Sequence, residues 1–425
     1  MCESTFADTR TEQAQTQHAQ PWPTRRLLDL VDIPSGQVDP RDERYAQLPL
    51  VAPNHIESGT GRIIALESAK TQGAISGKYL FQVGDVLYSK IRPYLRKAAL
   101  ARTDGLCSAD MYPLRPRPGM EAGYILAILL GDTFTKFAET VSMRTGIPKL
   151  NREELGEFSL RVPSLVEQRK IAAILSSVDD TMEKTQAVIN QLEVGRKAVT
   201  HEFLTRGLPG RHSEFKRSGL GGSIPTTWGE RAFGELVTQV RVPVQVDPGS
   251  EYREIGVRSH CKGVFHKEPI SGASLGNKRV FHVEPHCIVV NIVFAWEGAV
   301  AVTSENETGF IASHRFPMFR PTEEIDLHFL RLMLQTKQGI EYLKSASPGG
   351  AGRNKTLNQS RFLQCPIPVP TLEEQRAIRK AVTLIEERLL RERTALEQLQ
   401  ATKGALLEAL LSGKVRVSVT DQEAA

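Results

Sequence analysis

The chain has 425 residues, a formal net charge of +5, and a composition that is 40% hydrophobic and 24% charged. This length exceeds what one hydrophobic core usually holds, so two or more domains are expected. The composition is that of an ordinary globular protein, and the small positive charge permits a polyanionic partner without demanding one. Because no apolar run approaches the roughly 20 residues that cross a bilayer, we expect a cytoplasmic protein that does not span a membrane.

The N-terminal segment and the cysteines exclude two further classes of protein. Residues 1–20 are polar and rich in glutamine, which predicts a disordered leader and not a signal peptide. The five cysteines are scattered and form no CxxC pair, so neither a disulfide framework nor a zinc ribbon is indicated. Both observations favour a reducing compartment.

One decapeptide occurs twice in the chain. VPSLVEQRKI fills positions 162–171 and VPTLEEQRAI fills positions 369–378, so that Gln168 and Gln375 are 207 positions apart. A Leu-Asn pair upstream of each copy keeps that offset, and Trp22 and Trp228 nearly keep it. The pattern predicts an internal duplication with pseudo-two-fold symmetry.

Each copy of the decapeptide predicts the start of a long helix. Ser164 with Glu167, and Thr371 with Glu374, have the spacing of a capping box, in which each side chain bonds the backbone N–H of the other residue. Glycines near positions 207 and 413 are plausible stops. The predicted helices cover 163–206 and 370–413, and each would be about 60 Å long.

Apolar residues recur along both helices with a mean spacing of 3.5 positions, which is typical of coiled coils. The predicted seam consists of Ile171, Leu175, Val178, Met182, Ile189, Leu192 and Phe203 in the first helix, and Ile378, Val382, Ile385, Leu389, Leu396, Leu399, Leu406 and Leu410 in the second.

Polar residues interrupt the seam at equivalent places. They are Thr185 and Arg196 in the first helix, and Glu392 and Lys403 in the second. If the helices run antiparallel, an acid of one could meet a base of the other and fix the register. Alternatively, these residues are tolerated at half-exposed positions. A seam that pairs with another chain is less favoured, since the second copy already supplies a partner.

The remaining segments predict an α+β fold in the order domain, long helix, domain, long helix. Mixed domains are expected over 21–162 and 228–369, with a Gly-, Pro- and Ser-rich linker over 207–227 and a tail over 414–425. Apolar β-branched runs at 85–90 and 287–296 predict strands, and the segments 121–141 and 323–343 predict matching helices.

Signatures of catalysis are missing from the sequence. There is no GxxxxGK[ST] phosphate-binding loop and no Asn-Pro-Pro-Tyr tetrapeptide of the kind found in amino-methyltransferases. His282 and His286 have helical spacing, but Pro285 lies between them, so joint metal ligation is not implied. We therefore predict no catalytic residues and no metal site.

Basic segments poor in acidic residues occupy a similar place in both domains. Lysine and arginine neutralise phosphates, while arginine and asparagine can bond base edges. The alternative for any one of these residues is a solvated loop. The candidate DNA-binding residues are Lys90, Arg92, Tyr94, Arg96, Lys97, Arg144 and Lys149 in the first domain, and Lys344, Arg353, Asn354 and Lys355 in the second.

Two variable domains that alternate with two long helices, each opening on Leu-x-Glu-Gln-Arg-x-Ile after Val-Pro-Ser/Thr, resemble the specificity subunit of type I restriction-modification systems. The resemblance covers the chain after residue 20. It implies that the two domains are target recognition domains, each binding half of a bipartite, asymmetric site on double-stranded DNA. It further implies that the helices pack antiparallel as a spacer.

The resemblance also implies the partners. Two methyltransferase subunits would dock and methylate adenine with S-adenosylmethionine, and restriction subunits would supply translocation and cleavage with ATP and Mg²⁺. The chain itself would bind no cofactor and would not be an enzyme. Two alternatives are a self-contained DNA-modifying enzyme and a coiled-coil scaffold that does not bind DNA.

Overall fold

A computed structural model describes residues 21–143, 147–349 and 355–419, so the predicted leader and the end of the predicted tail lie outside the described residues. The chain forms two compact units. One contains the described residues up to Gln186 and those from Thr394 onward, and the other contains those between Ala187 and Arg393. Gln186 and Arg393 are 207 positions apart, so the division follows the internal duplication and divides each long helix at an equivalent point.

The first unit is an antiparallel and mixed β structure with helices. Its strands are β1 (Thr24–Arg26), β2 (Val31–Asp32), β3 (Pro49–Val51), β4 (Glu67–Ser68), β5 (Tyr79–Phe81), β6 (Val86–Ser89), β7 (Ala98–Leu100), β8 (Gly105–Cys107), β9 (Met111–Pro116) and β10 (Ser159–Arg161). Its helices are α1 (Glu43–Ala46), α2 (Ala122–Leu130), α3 (Asp132–Ser142), α4 (Arg152–Glu157), the first part of α5 (Leu165–Arg206) and the last part of α11 (Leu372–Leu411).

Strand β6 lies at the centre of the first domain. It belongs to a four-stranded antiparallel sheet with the order β2-β9-β6-β7, while β4-β3-β8-β5 form a second sheet. Val86 and Tyr88 pack into one apolar cluster, and Leu87 packs into another on the opposite face. Because both faces are covered, every residue of β6 is buried, which explains why three large side chains, Val86, Leu87 and Tyr88, follow one another in it.

The second unit is also built from short strands and helices. Its strands are β11 (Phe215–Arg217), β12 (Ser223–Pro225), β13 (Gly229–Ala232), β14 (Val237–Val240), β15 (Glu251–Tyr252), β16 (Ile255–Val257), β17 (Val264–His266), β18 (Ile270–Ser271), β19 (Val280–His282), β20 (Ile288–Val290), β21 (Val300–Val302), β22 (Ile311–Ser313), β23 (Met318–Pro321) and β24 (Pro366–Val369). Its helices are the end of α5, α6 (Phe233–Leu236), α7 (Gly272–Leu275), α8 (Leu327–Gln335), α9 (Lys337–Ser345), α10 (Gln359–Leu363) and the first part of α11 (Leu372–Leu411).

The central sheets of the two domains have the same plan. In the second unit the strand order is β14-β23-β20-β21, which matches β2-β9-β6-β7 in the first. Each domain also pairs its first strand with the strand that precedes a long helix, β1 with β10 and β13 with β24. The predicted α+β class and internal duplication are confirmed.

The repeated glutamine joins each long helix to its domain. Gln375 is fully buried, and its side-chain oxygen accepts a hydrogen bond from the Asp326 backbone N–H at 2.7 Å. Its amide donates to the carbonyl oxygens of Glu324 at 3.2 Å and Pro370 at 2.9 Å. The acceptor bond holds the residue that begins α8, because Asp326 is the N-cap of that helix.

Gln168 makes the same set of bonds in the first unit. It is also fully buried, accepts from the Glu121 backbone N–H at 2.9 Å, and donates to the carbonyl oxygens of Gly119 at 3.2 Å and Pro163 at 3.0 Å. Glu121 is the N-cap of α2. The repeated decapeptide is therefore an anchoring element that satisfies buried backbone groups in both units.

The glutamate beside each glutamine binds a tryptophan at the start of the domain. The indole N–H of Trp22 donates to Glu167 at 3.4 Å, and that of Trp228 donates to Glu374 at 3.2 Å. Glu167 also accepts from the Ser164 backbone N–H at 3.0 Å, as the predicted capping box requires.

The predicted second capping box forms only in part. Thr371 Oγ1 accepts from the Glu374 backbone N–H at 3.4 Å. The Glu374 carboxylate instead accepts from the Leu208 N–H at 3.1 Å and lies 2.8 Å from His212 Nε2. Tertiary partners have replaced the local cap.

Each unit contains an antiparallel pair of helical segments. In the first, Ile171 and Leu175 of α5 pack in one cluster with Leu410 of α11. In the second, Leu204 of α5 packs in one cluster with Ile378 and Val382 of α11. All predicted seam residues are buried or half-buried.

Two equivalent ion pairs involve the polar seam residues. Lys403 lies 2.6 Å from Asp179 in the first unit, and Arg196 lies 3.7 Å from Glu386 in the second. Both the bases and the acids are 207 positions apart, so the pairs are related by the duplication. Glu392 instead pairs with Arg388 of its own helix. The bases do meet acids across the helix pair, but the acids come from positions that the seam pattern did not single out.

Each predicted helix between the central sheet and the long helices is two helices. Gly131 separates α2 from α3, and Thr336 separates α8 from α9, where the Thr336 side chain accepts from the Gly339 N–H and caps the new helix. A capping residue in an otherwise helical pattern is weakly visible in sequence because the apolar period continues through it.

The predicted linker and tail are both held in place. The segment 207–227 contains the hairpin β11–β12, whose turn uses Gly221 and Gly222 at positive φ. In the tail, Arg416 donates to Glu167 at 2.7 Å, and the Lys170 ammonium donates to the Ser418 carbonyl oxygen at 2.7 Å. The linker thus bonds the start of α11, through Leu208 and Glu374, and the tail bonds the start of α5.

The buried hydrogen bonds of Gln375 predict that a single substitution there destabilises the fold. Replacing Gln375 with leucine leaves the Asp326 N–H and two carbonyl groups without their buried partner, which should destabilise the fold by about 1–3 kcal/mol. Chemical denaturation measures the loss, with the exposed neighbouring change Arg376→Ala as control. Equal stability of the two variants would refute the anchoring role.

The Glu167–Arg416 pair predicts a pH-dependent contribution. Burial alone would raise the pKa of Glu167, but the Arg416 guanidinium and the Ser164 N–H outweigh it and hold the pKa below its ordinary value of 4.5. A lowered pKa in the folded state stabilises the fold above that ordinary value, and the contribution is lost as pH falls through the folded pKa.

Arg416→Met should therefore reduce the free energy of unfolding at pH 7 by about 1–3 kcal/mol, and by less at pH 3.5. Urea denaturation at both pH values measures this, with Lys414→Met as the control for loss of a tail charge. A loss of the same size at both pH values would contradict the prediction.

Candidate nucleic-acid interface

The loop after β6 brings predicted basic residues from two parts of the chain together. The Leu150 N–H donates to the Lys90 carbonyl oxygen at 2.8 Å, and the Arg92 N–H donates to the Pro148 carbonyl oxygen at 2.8 Å. Ile91 forms an isolated bridge with Lys149 between these bonds. Lys90, Arg92 and Lys149 therefore belong to one edge of the first domain.

This loop holds two residues in an uncommon backbone conformation. Arg92 has φ 51° and Arg96 has φ 49°, on either side of a single 3₁₀ turn over Pro93–Leu95. The left-handed conformation costs a residue with a side chain of the order of 1 kcal/mol or more, and such strain clusters at functional sites. Tyr94, at the tip of the turn, is about half exposed.

Lys90 and Arg152 approach the ring of Tyr112, and the charge of Lys149 acts on Lys90; we call these four residues the Tyr112 cluster. Lys90 is buried, with its ammonium 5.0 Å from the centre of the Tyr112 ring. The guanidinium carbon of Arg152 is 5.7 Å from the same centre. Burial lowers the pKa of Lys90, and the charge of Lys149 lowers it further. The cluster is a concentrated positive site at the edge of the domain.

Two other predicted residues of this loop are engaged within the domain. Arg96 forms an ion pair with Asp132 at 2.7 Å, and the Lys97 ammonium donates to the Pro53 carbonyl oxygen at 2.7 Å. Their charges help to hold the loop. Arg144 lies outside the described residues.

The described candidates of the second domain each have a partner within that domain. Lys344 pairs with Glu341 on its own helix at 2.7 Å. The Lys355 ammonium lies 5.0 Å from the ring centre of Trp296. Arg353 and Asn354 lie outside the described residues.

The edge equivalent to the Tyr112 cluster carries different side chains in the second domain. The Leu357 N–H donates to the Ile292 carbonyl oxygen at 2.8 Å, as Leu150 does to Lys90. The residue after the helix N-cap is Gln359, where the first domain has Arg152, and its amide oxygen accepts from Gln239 at 3.3 Å.

Arg315 was missed by the sequence reasoning. Its carbonyl oxygen accepts from the Ile292 N–H at 3.0 Å, as that of Asp110 accepts from Lys90, which places Arg315 at this edge. The constant offset between the Leu-Asn pairs, Leu150-Asn151 and Leu357-Asn358, was the available signal for this edge.

Comparison with known proteins identifies the family. A model described as type I restriction modification DNA specificity domain matches residues 19–194 and 288–401. The chain belongs to this family.

Relatives of this specificity subunit extend the match. The EcoDI specificity subunit of Escherichia coli is 37% identical over 166 residues, which cover 38% of this chain and 36% of that protein. The putative MjaX specificity subunit of Methanocaldococcus jannaschii is 25% identical over 417 residues, covering 93% and 94% of the two chains. The crystal structure of a type I S subunit from M. genitalium has a TM-score of 0.55 at 15% identity, covering 96% of this chain and 99% of that one, and shows a common fold.

Two histidines of the specificity subunit each lie beside a single glutamate. His266 Nε2 lies 2.8 Å from Glu307, and His286 Nε2 lies 3.1 Å from Glu305. Across the described residues, no group of three or more His, Cys, Asp or Glu side chains is arranged to hold a metal ion. Over the same part of the chain, no helix has both the length and the apolar character needed to cross a membrane.

The larger grooves of the second unit have mixed charge. One of about 910 Å³ is lined by Arg331, Arg379 and Glu386, and another of about 1080 Å³ by Arg196, Arg331 and Glu386. Glu386 pairs with both Arg196 and Arg331, and Arg379 pairs with Asp326, so these three arginines are engaged in ion pairs. The grooves keep a positive excess from further lining residues such as Lys262 and Lys380, and the Tyr112 cluster does not line either of them.

Proposed function

We propose that each domain of this specificity subunit binds one half of a bipartite, asymmetric site on double-stranded DNA. The observation that supports the proposal is that both domains form the same edge with different side chains. Equivalent backbone hydrogen bonds and helix N-caps place Lys90 and Arg152 at this edge in the first domain. In the second domain they place Ile292 and Gln359 there. A duplicated plan presents two readers, and unlike side chains let the two half-sites differ.

Membership of the family supports a proposal for the partners and their chemistry. We propose that two modification subunits dock on this chain and methylate adenine with S-adenosylmethionine. Restriction subunits would supply translocation and cleavage with ATP and Mg²⁺, and the whole complex would work in the cytoplasm. In this assignment the chain contributes sequence recognition and contributes no catalytic group.

The long helices are proposed to set the gap between the half-sites. The ion pairs Lys403–Asp179 and Arg196–Glu386, with the apolar seam, fix the register of each helical pair. A register fixed in both units makes helix length a determinant of DNA specificity.

Lengthening both helices tests the spacer role. Seven residues inserted after Gln186 and seven inserted after Arg393 preserve the seam period and add about 10 Å, which corresponds to about three base pairs. We expect the gap to lengthen and both half-sites to stay unchanged, as read by sequencing of modified adenines in cells that carry the partner subunits.

A single insertion after Gln186 is the control for this experiment. It shifts one seam against the other and should destabilise the protein. An altered half-site with an unchanged gap in the double insertion would overturn the spacer role.

The non-catalytic assignment has its own test. The purified chain with S-adenosylmethionine and DNA should transfer no methyl groups, and the same chain co-purified with its modification subunits should do so. Methylation by the chain alone would favour the self-contained enzyme. A chain without salt-dependent DNA affinity, alone and in the complex, would favour the scaffold.

A further inference from the structure

Lys90 is an exception among the buried charges of the first domain. Its exposed fraction is 9%, and its ammonium has no hydrogen-bond acceptor or carboxylate partner among the residues that the structure describes. Asp85, by contrast, is bound by Arg115 through two bonds of 2.9 Å, and the Lys78 ammonium donates to Ser76. The Lys90 side chain is therefore buried over most of its length while its charge is left without an ion pair.

The surroundings of Lys90 contain further positive charges. Its ammonium and the Arg152 guanidinium approach the same Tyr112 ring, so the two cations are no more than about 11 Å apart. Lys149 adds a third positive charge, exposed to solvent. Asp110 is the nearby acid, and its effect on the pKa of Lys90 is smaller than that of Lys149. These positive charges repel one another, and a bound anion would offset the repulsion.

The Tyr112 ring explains how the cations are kept together in the absence of an anion. A cation near an aromatic face is attracted by the electrons of the ring, which offsets part of the repulsion. The ring is itself buried in the β6–β9 region of the sheet, so its position is fixed. The site is therefore built in advance of binding, as a specific contact requires.

We propose that the Tyr112 cluster binds one phosphate group of the DNA backbone in the half-site read by the first domain. The inference deepens the proposed function and rests on it. Arg152 donates to the Pro34 carbonyl oxygen at 3.2 Å, but none of the three cations forms an ion pair with a carboxylate among the described residues. Three such cations suit a phosphate, whereas base edges present donors and acceptors together. Ile292 and Gln359 occupy the equivalent positions in the second domain, so the contact belongs to one half-site.

The principal variant is Lys90→Met, which keeps the shape of the side chain and removes its charge. Lys70→Met is the matched control, because Lys70 is an exposed lysine elsewhere in the same domain. The full-length chain is titrated with its DNA site at several salt concentrations. Loss of one phosphate contact should lower the slope of log affinity against log salt by about 0.9, and the control should keep the wild-type slope.

A scan with neutral methylphosphonate groups then locates the contact. In the wild type, one position in the first domain's half-site should weaken binding through Lys90. Lys90→Met should be insensitive at that position and remain sensitive at the others. A scan that is identical for the two proteins, with an unchanged salt slope, would overturn the inference while leaving the proposed function intact.

Folding and free phosphate are checked separately. Lys90→Met should melt at or above the wild-type temperature, since the change removes a poorly solvated cation; if it fails to fold, Arg152→Gln gives the same readouts. Inorganic phosphate that raises the melting temperature of the wild type and not of Lys90→Met, together with a flat methylphosphonate scan, would assign the site to a free anion and overturn its assignment to DNA. A wild type without DNA binding would remove the proposed function and this inference together.

Discussion

The buried glutamine at the start of each long helix is the interaction on which the architecture depends. Gln168 and Gln375 each accept one backbone N–H and donate to two carbonyl groups, and both are fully buried. One side chain of the long helix thereby bonds both the proline that precedes this helix and the N-cap residue of a helix in the domain. No apolar residue of similar size could satisfy those groups, and leaving them without partners would cost more than the burial of the amide. The chemistry explains why the glutamine occupies the same position of both decapeptides while the loops diverge.

The anchor also determines how the duplication is used. Each unit contains a domain, the first part of one long helix and the last part of the other, and the unit boundaries keep the offset of 207 positions. The ion pairs Lys403–Asp179 and Arg196–Glu386 follow the same rule. Exposed or half-exposed pairs contribute little to stability individually. Their value lies in register, because a shifted helix would remove both pairs and move the seam out of contact.

The sequence predicted those features that depend on local pattern. The 3.5-residue period of the seam and the capping signal at Ser164 were visible because they involve neighbouring residues in one helix. The breaks at Gly131 and Thr336 were missed because the apolar period runs through them. The partners of Glu374, and the role of Arg416, depend on contacts between residues far apart in the chain, which a local pattern cannot show.

The same distinction applies to the candidate interface. Lys90 and Lys149 were predicted as members of two separate basic segments, and the backbone pairing of 90–92 with 148–150 is what makes them neighbours. Arg96 and Lys97 had equal standing in the sequence, yet their charges are used within the domain. Tyr112 carried no signal, because it lies on a strand among other buried residues.

Asymmetry between the two domains is concentrated where the shared scaffold permits it. The glutamine of the anchor and the proline that it bonds are the same in both halves. The edge after the central strand, by contrast, carries Lys90 and Arg152 in one domain and Ile292 and Gln359 in the other. Lys90 has no ion-pair partner among the described residues, and its equivalent Ile292 is apolar, while the second domain places Arg315 where the first has Asp110. The two domains thus present charge at different points of one shared backbone plan. That difference fits a phosphate contact through Lys90 in the first half-site alone.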